Sequence, residues 1–147
     1  MKSKVKCMKA IIIYNTRSGN TEALGQKIKE RLEAKGITCE IHRDKEIKKT
    51  PNIVEPFDLL CLGSCCHAWG PAFFPFRGFL KKLAKLDLKN EKLLCFATAS
   101  TEENWLLTCN YIRKRLPQLE HLGNVGCAKR NIETAIPEIE RIVKTLK

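Results

Sequence analysis

Residues 14–21, Tyr-Asn-Thr-Arg-Ser-Gly-Asn-Thr, follow a short apolar segment and place polar side chains around a glycine. Four of these side chains can donate hydrogen bonds to an anion, namely Thr16, Ser18, Asn20 and Thr21. Gly19 would let a ligand approach the backbone closely, and a helix beginning near Thr21 would point unpaired N–H groups at the same place. The pattern predicts a phosphate-binding loop, although the same residues can also serve only to cap the helix.

This loop differs from two common nucleotide-binding loops. It contains neither the Gly-x-Gly-x-x-Gly of a dinucleotide fingerprint nor the Gly-Lys-Ser/Thr of a nucleoside triphosphatase. We therefore predict that it holds one terminal phosphate. Arg17, inside the loop, either pairs with that phosphate or points to solvent.

Apolar runs alternate with helical patterns along the whole chain, which predicts a parallel sheet with helical crossovers. The predicted strands are residues 9–14, 38–42, 59–63, 93–98 and 124–128. The predicted helices are 21–35, a segment starting after Pro75, 103–116, and 134 to the end. The first, third and fourth strands are almost entirely apolar, as in a sheet covered on both faces. The predicted fold class is α/β, with a doubly wound five-stranded parallel sheet.

Length and composition predict a single domain over residues 1–147. A chain of 147 residues with 44% hydrophobic content can bury a substantial core. We see no apolar run near the roughly 20 residues of a membrane span, and no secretion signal. We therefore expect a cytoplasmic protein that does not associate with a membrane.

The chain contains eight cysteines, which we expect to be reduced in that compartment. Their spacing lacks the paired two-residue gaps of zinc or iron–sulfur sites, so no metal is predicted. Most of them are best interpreted as small buried hydrophobes. Cys65 and Cys66, which are adjacent, could alternatively form a redox-active thiol pair.

The net charge of +11 predicts attraction to an acidic partner. Lysines lie in predicted helices without interleaved aromatic residues, so nucleic acid is not the predicted partner. Many of them can simply be solvated.

In a parallel sheet of this kind, the loops after the strands meet at one edge and form the ligand crevice. Three predicted loops lie there: residues 15–21, 64–71 and 99–104.

Residues 14–21, preceded by three isoleucines, resemble the phosphate-loop signature of the flavodoxin family. Residues 57–64, Phe-Asp-Leu-Leu-Cys-Leu-Gly-Ser, resemble the third strand of that family, and Trp69-Gly70 resembles its second flavin loop. The resemblance covers essentially the full length and is closest to the short-chain branch, because the fifth strand has no room for a long insertion. It implies a flavodoxin-like fold with strand order 2-1-3-4-5 and FMN as the cofactor.

The resemblance also implies which residues bind FMN. The phosphate would be held by Thr16, Arg17, Ser18, Gly19, Asn20 and Thr21. One side of the isoalloxazine ring would be covered by Ser64, Cys65, Cys66, His67, Trp69 and Gly70, with His67 or Trp69 as the flat surface. The other side would be lined by Ala99, Ser100 and Thr101, and no residue would be catalytic in the usual sense.

The resulting function is electron transfer between redox enzymes, with an acidic redox protein as partner and the chain as a monomer or weak dimer. One alternative is an FMN-dependent reductase that oxidises NAD(P)H and reduces quinone-type acceptors. Another is a flavodoxin-like module that has lost its flavin and binds an acidic protein.

Overall fold

The structure is a computed structural model that describes residues 8–65, 74–88, 91–128 and 131–146. Within these ranges five parallel strands form one sheet in the order β2-β1-β3-β4-β5. The strands are β1 (Lys9–Tyr14), β2 (Thr38–Arg43), β3 (Leu59–Cys65), β4 (Lys92–Ala99) and β5 (Glu120–Ala128). The predicted fold class and strand order are therefore confirmed.

Helices connect the strands and cover the sheet. They are α1 (Asn20–Ala34), α2 (Asp44–Ile47), α3 (Phe74–Ala84), α4 (Glu102–Arg115) and α5 (Ile136–Lys144). Two short 3₁₀ turns, Pro51–Val54 and Ile132–Ala135, complete the described elements. The sequence analysis did not predict α2 or the first of these turns, because elements of four residues are too short to show a helical period.

The sheet separates two hydrophobic cores. Ile12 lies in the core under α1 and α5, whereas its neighbours Ile11 and Ile13 lie in the core under α3 and α4. All three side chains are completely buried. Helices therefore cover the sheet on both faces, as the nearly continuous apolar strands predicted.

Two predicted boundaries at the carboxyl-terminal end of the chain were wrong. β5 begins at Glu120, four residues before the predicted start at residue 124. It is an edge strand with a register shift opposite Leu93 and Leu94, and its polar first residues hide it from an apolar pattern. The last helix begins at Ile136 after a 3₁₀ turn, with Pro137 in its first turn, where the missing N–H costs no hydrogen bond.

The register brings the carboxyl ends of four strands together. Tyr14 pairs with both Arg43 and Gly63, and Gly63 pairs with Phe96. The loops that follow β1, β3 and β4 therefore begin side by side at the carboxyl edge of the sheet, as predicted.

In the part of the chain that the structure describes, no helix has the length and apolar character needed to cross a bilayer.

Candidate functional site

The loop between β1 and α1 is folded by its own side chains. The Gly19 amide donates to Thr16 Oγ1 at 2.9 Å, which closes a tight turn over residues 16–19. Gly19 has a φ of +90°, in the left-handed region where a side chain would be strained. The glycine is therefore required by the shape of the turn as well as by the space around it.

The same glycine leaves the start of α1 open. Gly19 is the N-cap residue and has no side chain with which to cap the helix. The first helical hydrogen bond runs from the Ala23 amide to the Gly19 carbonyl at 3.0 Å. The amides of residues 20–22 therefore precede the helical hydrogen bonds and have no acceptor within the helix, which is the arrangement that binds anions.

The predicted phosphate ligands differ in their exposure. Arg17 and Ser18 are exposed and Asn20 is partly exposed, so these side chains lie at the open side of the turn. Thr16 is 6% exposed, and Thr21 is fully buried. The Thr21 hydroxyl shares a 2.8 Å hydrogen bond with the Thr98 hydroxyl at the end of β4, so its predicted contact with phosphate stays a prediction.

The loop after β3 is described only at its beginning. Ser64 is fully buried and its hydroxyl donates to the Cys65 carbonyl at 2.9 Å. The half-buried Cys65 thiol donates to Asn15 Oδ1 at 3.8 Å, which joins this loop to the one after β1. The other predicted residues of the loop, Cys66, His67, Trp69 and Gly70, lie outside the described residues.

The loop after β4 is small and polar. Ala99 is half-buried, and Ser100 and Thr101 are exposed. The Thr101 hydroxyl accepts a hydrogen bond from the Asn104 amide at 3.2 Å and so caps α4. The two helix starts at this edge therefore differ, because α4 is capped by its own threonine and α1 is not.

Trp105, the tryptophan nearest this loop in sequence, packs against the edge strand. It lies in α4, and its indole ring rests on the backbone of Gly126 in β5. A side chain on residue 126 would overlap the ring, so the glycine is needed for this close approach.

Arg43 and Asp44 were not predicted as part of the site, and Asn15, inside the predicted loop, was not predicted as one of its binding residues. Asn15 is 5% exposed and donates from Nδ2 to Asp44 Oδ2 at 3.0 Å, and Arg43 Nη2 donates to the Thr16 carbonyl at 2.8 Å. Arg43 and Asp44 follow the second predicted strand, which the order 2-1-3-4-5 places next to β1. Their position next to the end of β1 is the signal that could have identified Arg43 and Asp44, and it depends on the strand order.

Burial dominates the electrostatics of this cluster. Asp44 is 2% exposed, and desolvation raises the pKa of its carboxyl, although hydrogen bonds from Asn15 and the Lys45 amide oppose the shift. Burial also raises the pKa of Tyr14, and the nearby Glu22 carboxylate adds to that effect. Both groups keep their protons more readily in the folded protein than in water.

The site thus consists of an uncapped helix start, a turn of hydroxyl and amide groups, and two further loops at the same edge. Such an arrangement at the start of α1 can bind a phosphate group.

Comparison with known proteins agrees with this description. A flavodoxin of Maridesulfovibrio salexigens is 24% identical over 139 residues, which are 92% of each chain. A short-chain flavodoxin associated with a non-canonical PDU bacterial microcompartment superposes with a TM-score of 0.83 at 15% identity, covering 95% of this chain and 96% of that one. Oxidised flavodoxin 1 of Bacillus cereus superposes with a TM-score of 0.78 at 19% identity, covering 95% and 99%. No family model matches the sequence.

Proposed function

We propose that this chain, which resembles flavodoxins in sequence and fold, binds FMN at the carboxyl edge of its sheet and carries electrons between redox proteins. The observation that carries the proposal is the start of α1, where a glycine N-cap leaves three amides open beside exposed polar side chains. A terminal phosphate fits this place, because the helix dipole and the amides both favour an anion there.

The residues of the loop fit a phosphate in different ways. Ser18 and Asn20 offer accessible side-chain donors, and Arg17 supplies a positive charge at the open side. Thr16 and Gly19 shape the turn, and the hydroxyl of Thr16 keeps its own proton to donate. Thr21 contributes its main-chain amide, and its hydroxyl, which bonds to Thr98, fixes the start of the helix.

The isoalloxazine ring would lie between the loops that follow β3 and β4. Ser64 and Cys65 begin the first of these loops, and Ala99, Ser100 and Thr101 form the second. FMN, when bound, supplies the one- or two-electron chemistry, and the protein supplies binding, orientation and tuning. No side chain is required as an acid, a base or a nucleophile.

The direct test is to titrate the apoprotein with FMN and, separately, with riboflavin, and to record the quenching of flavin fluorescence. Tight binding of FMN and weak binding of riboflavin is the expected result, because the two differ only in the phosphate. Equal affinity for the two flavins would contradict a phosphate loop. If neither flavin binds, the alternative of a flavin-less binding module replaces this proposal, and rapid oxidation of NAD(P)H by the holoprotein would favour the reductase.

Two matched glycine variants sharpen that test. Gly19 and Gly36 have φ values of +90° and +87°, and a Cβ at either position would have no atom within 4 Å apart from those of the residue itself and its two chain neighbours. Gly19→Ala and Gly36→Ala should therefore lose similar stability, about 1–2 kcal/mol each. Only Gly19→Ala should weaken FMN binding. If Gly36→Ala weakens binding equally, the effect comes from strain in the fold and not from the loop.

We further propose that the partner is an acidic redox protein and that it docks on the basic α3–α4 face. This face consists of Arg77, Lys81, Lys82, Lys85, Arg113, Lys114 and Arg115. All except the half-buried Arg77 are exposed, and residues 74–86 and 104–116 contain no Asp or Glu.

The arrangement of these cations supports docking of an acidic surface. The guanidinium groups of Arg77 and Arg115 both lie over the ring of Tyr111, at 5.4 and 4.6 Å from its centre, which holds two like charges close together. On the opposite face, by contrast, Lys29 pairs with Glu33 and Arg141 pairs with Glu138. An acidic protein would be attracted to the α3–α4 face in preference to the other.

The test for this partner is the rate at which an acidic, NAD(P)H-dependent flavoprotein reductase reduces the holoprotein, measured by stopped flow. The rate should fall as salt is added, and Lys81→Glu should lower it at low salt. Lys144→Glu makes the same charge change on α5 and should have a smaller effect. Equal effects of the two variants would mean that net charge, and not this face, attracts the partner.

We place this reaction in the cytoplasm and expect the chain to act as a monomer or weak dimer.

A further inference from the structure

Two consecutive residues at the end of β2 hold two consecutive residues of the phosphate loop. The Arg43 side chain donates from Nη2 to the Thr16 carbonyl at 2.8 Å. Asp44 Oδ2 accepts from Asn15 Nδ2 at 3.0 Å, in a hydrogen bond that is buried. The loop is therefore fixed at its first two residues by a neighbouring strand.

Asn15 is held from the other side as well. Its amide donates to the Gly63 carbonyl at 3.0 Å, and its Oδ1 accepts from the Cys65 thiol at 3.8 Å. The side chain thus spans the ends of β2 and β3 while its backbone begins the loop. Because Thr16 and Gly19 close the turn, the position of Asn15 and Thr16 sets where the open amides of α1 point.

The hydrogen bond between Asn15 and Asp44 requires a buried carboxyl, which costs folding free energy. Its carboxyl is 2% exposed, and desolvation raises its pKa even though Oδ1 accepts from the Lys45 amide at 2.8 Å. A buried carboxylate with so little net stabilisation is a poor choice for stability alone. Its position favours a role in holding the loop.

Arg43 places a positive charge beside the phosphate loop. Its backbone amide donates to Glu46 Oε1 at 2.7 Å, which fixes the residue at the start of α2. Its Nε is shielded from solvent and has no acceptor among the described residues. The guanidinium therefore bonds to the loop through Nη2 and places its positive charge beside the loop.

We propose that Arg43 and Asp44 are positioning residues that set the preference of this site for a phosphorylated flavin. They hold Asn15 and Thr16 so that the amides at the start of α1 converge on one phosphate, and Arg43 adds a favourable charge. This inference rests on the proposed function, because the phosphate concerned is that of FMN.

The experiment compares dissociation constants for FMN and riboflavin in the wild-type apoprotein and in Arg43→Gln. Loss of a hydrogen bond from a charged group should weaken FMN binding about 10-fold or more. Binding of riboflavin should change by less than about 2-fold, because riboflavin has no phosphate. Lys49→Gln is the matched control, because it removes an equal charge from a nearby exposed side chain that takes no part in the hydrogen bonds of Arg43 and Asp44. It should leave both constants within about 3-fold of wild type.

Asp44→Asn provides a second, nearly isosteric variant, and thermal unfolding of each apoprotein shows that it is folded. We expect this variant also to reduce the ratio of FMN affinity to riboflavin affinity. If both variants are folded and keep the wild-type ratio, or if Lys49→Gln lowers the ratio as much as Arg43→Gln does, the inference is overturned while the proposed function stands. If the wild-type protein itself does not distinguish FMN from riboflavin, the proposed function fails first and the inference fails with it.

Discussion

Thr21 and Thr98, which lie 77 residues apart in the sequence, share a buried hydrogen bond of 2.8 Å between their hydroxyl groups. Thr21 is in the first turn of α1 and Thr98 is near the end of β4. The bond therefore ties the phosphate loop to the strand whose following loop would line the flavin ring. A hydrogen bond within the protein therefore joins two parts of the site.

This bond can be measured by a double-mutant cycle. Thr21→Val or Thr98→Val alone leaves the other hydroxyl buried without its partner, which should cost about 1–3 kcal/mol of unfolding free energy. The double variant should lose less than the sum of the two, because two apolar groups of similar shape then face each other. Urea unfolding of the four apoproteins gives the coupling energy. Strictly additive losses would show that the hydroxyls do not interact.

The buried carboxyl of Asp44 should make stability depend on pH. Because burial raises its folded-state pKa, the folded protein binds this proton more tightly than the unfolded chain does. The contribution of Asp44 to stability is therefore fully present below the ordinary aspartate pKa of about 3.9 and is lost as the pH rises through the raised value. Unfolding of wild type and Asp44→Asn, compared across this window, should show wild type losing stability relative to the variant as the pH rises. A constant difference would indicate an unshifted carboxyl.

The buried cysteines should be inert in the folded protein. Desolvation raises the pKa of Cys39 to about 12 and the pKa values of Cys61 and Cys95 well above the ordinary range, so their reactive thiolates are scarce at pH 8. Among the described cysteines the structure contains no disulfide. Alkylation with iodoacetamide followed by mass spectrometry should modify these three thiols only in concentrated guanidinium chloride. Equally fast labelling of Cys61 in buffer would mean that the core opens readily.

The contact between Trp105 and Gly126 can be tested with two glycine-to-alanine changes. Gly126→Ala places a methyl group into the indole ring and should destabilise the protein by about 1–3 kcal/mol. Gly78→Ala, at an exposed position of α3 with open space around the new methyl, should be neutral or stabilise by up to about 1 kcal/mol. Adding Trp105→Ala to Gly126→Ala should cost less than the two single losses together. Chemical denaturation of each variant provides the comparison.

Contacts of the site between residues close in sequence could be predicted, whereas contacts between residues far apart in sequence could not. The turn from Thr16 to Gly19 involves residues only three apart, so the polar residues and the glycine indicated it directly. The α4 cap at Thr101 is equally local, but the sequence analysis assigned that residue to the flavin ring, a role that stays a prediction. Arg43 and Asp44 were missed, because their partners Thr16 and Asn15 lie 27 and 29 residues away.

The sequence by itself determined the alternation of strands and helices, the apolar strands of a doubly covered sheet, and the polar loop between β1 and α1. These features depend on hydrophobic periodicity and on the turn and helix preferences of residues that are neighbours in sequence, so the sequence shows them directly. Only the tertiary structure decided that Arg43 and Asp44 hold the loop, that Thr98 bonds Thr21, and that Trp105 lies on Gly126. Those contacts join segments that the crossovers and the strand order bring together, and no local pattern specifies which side chains then meet.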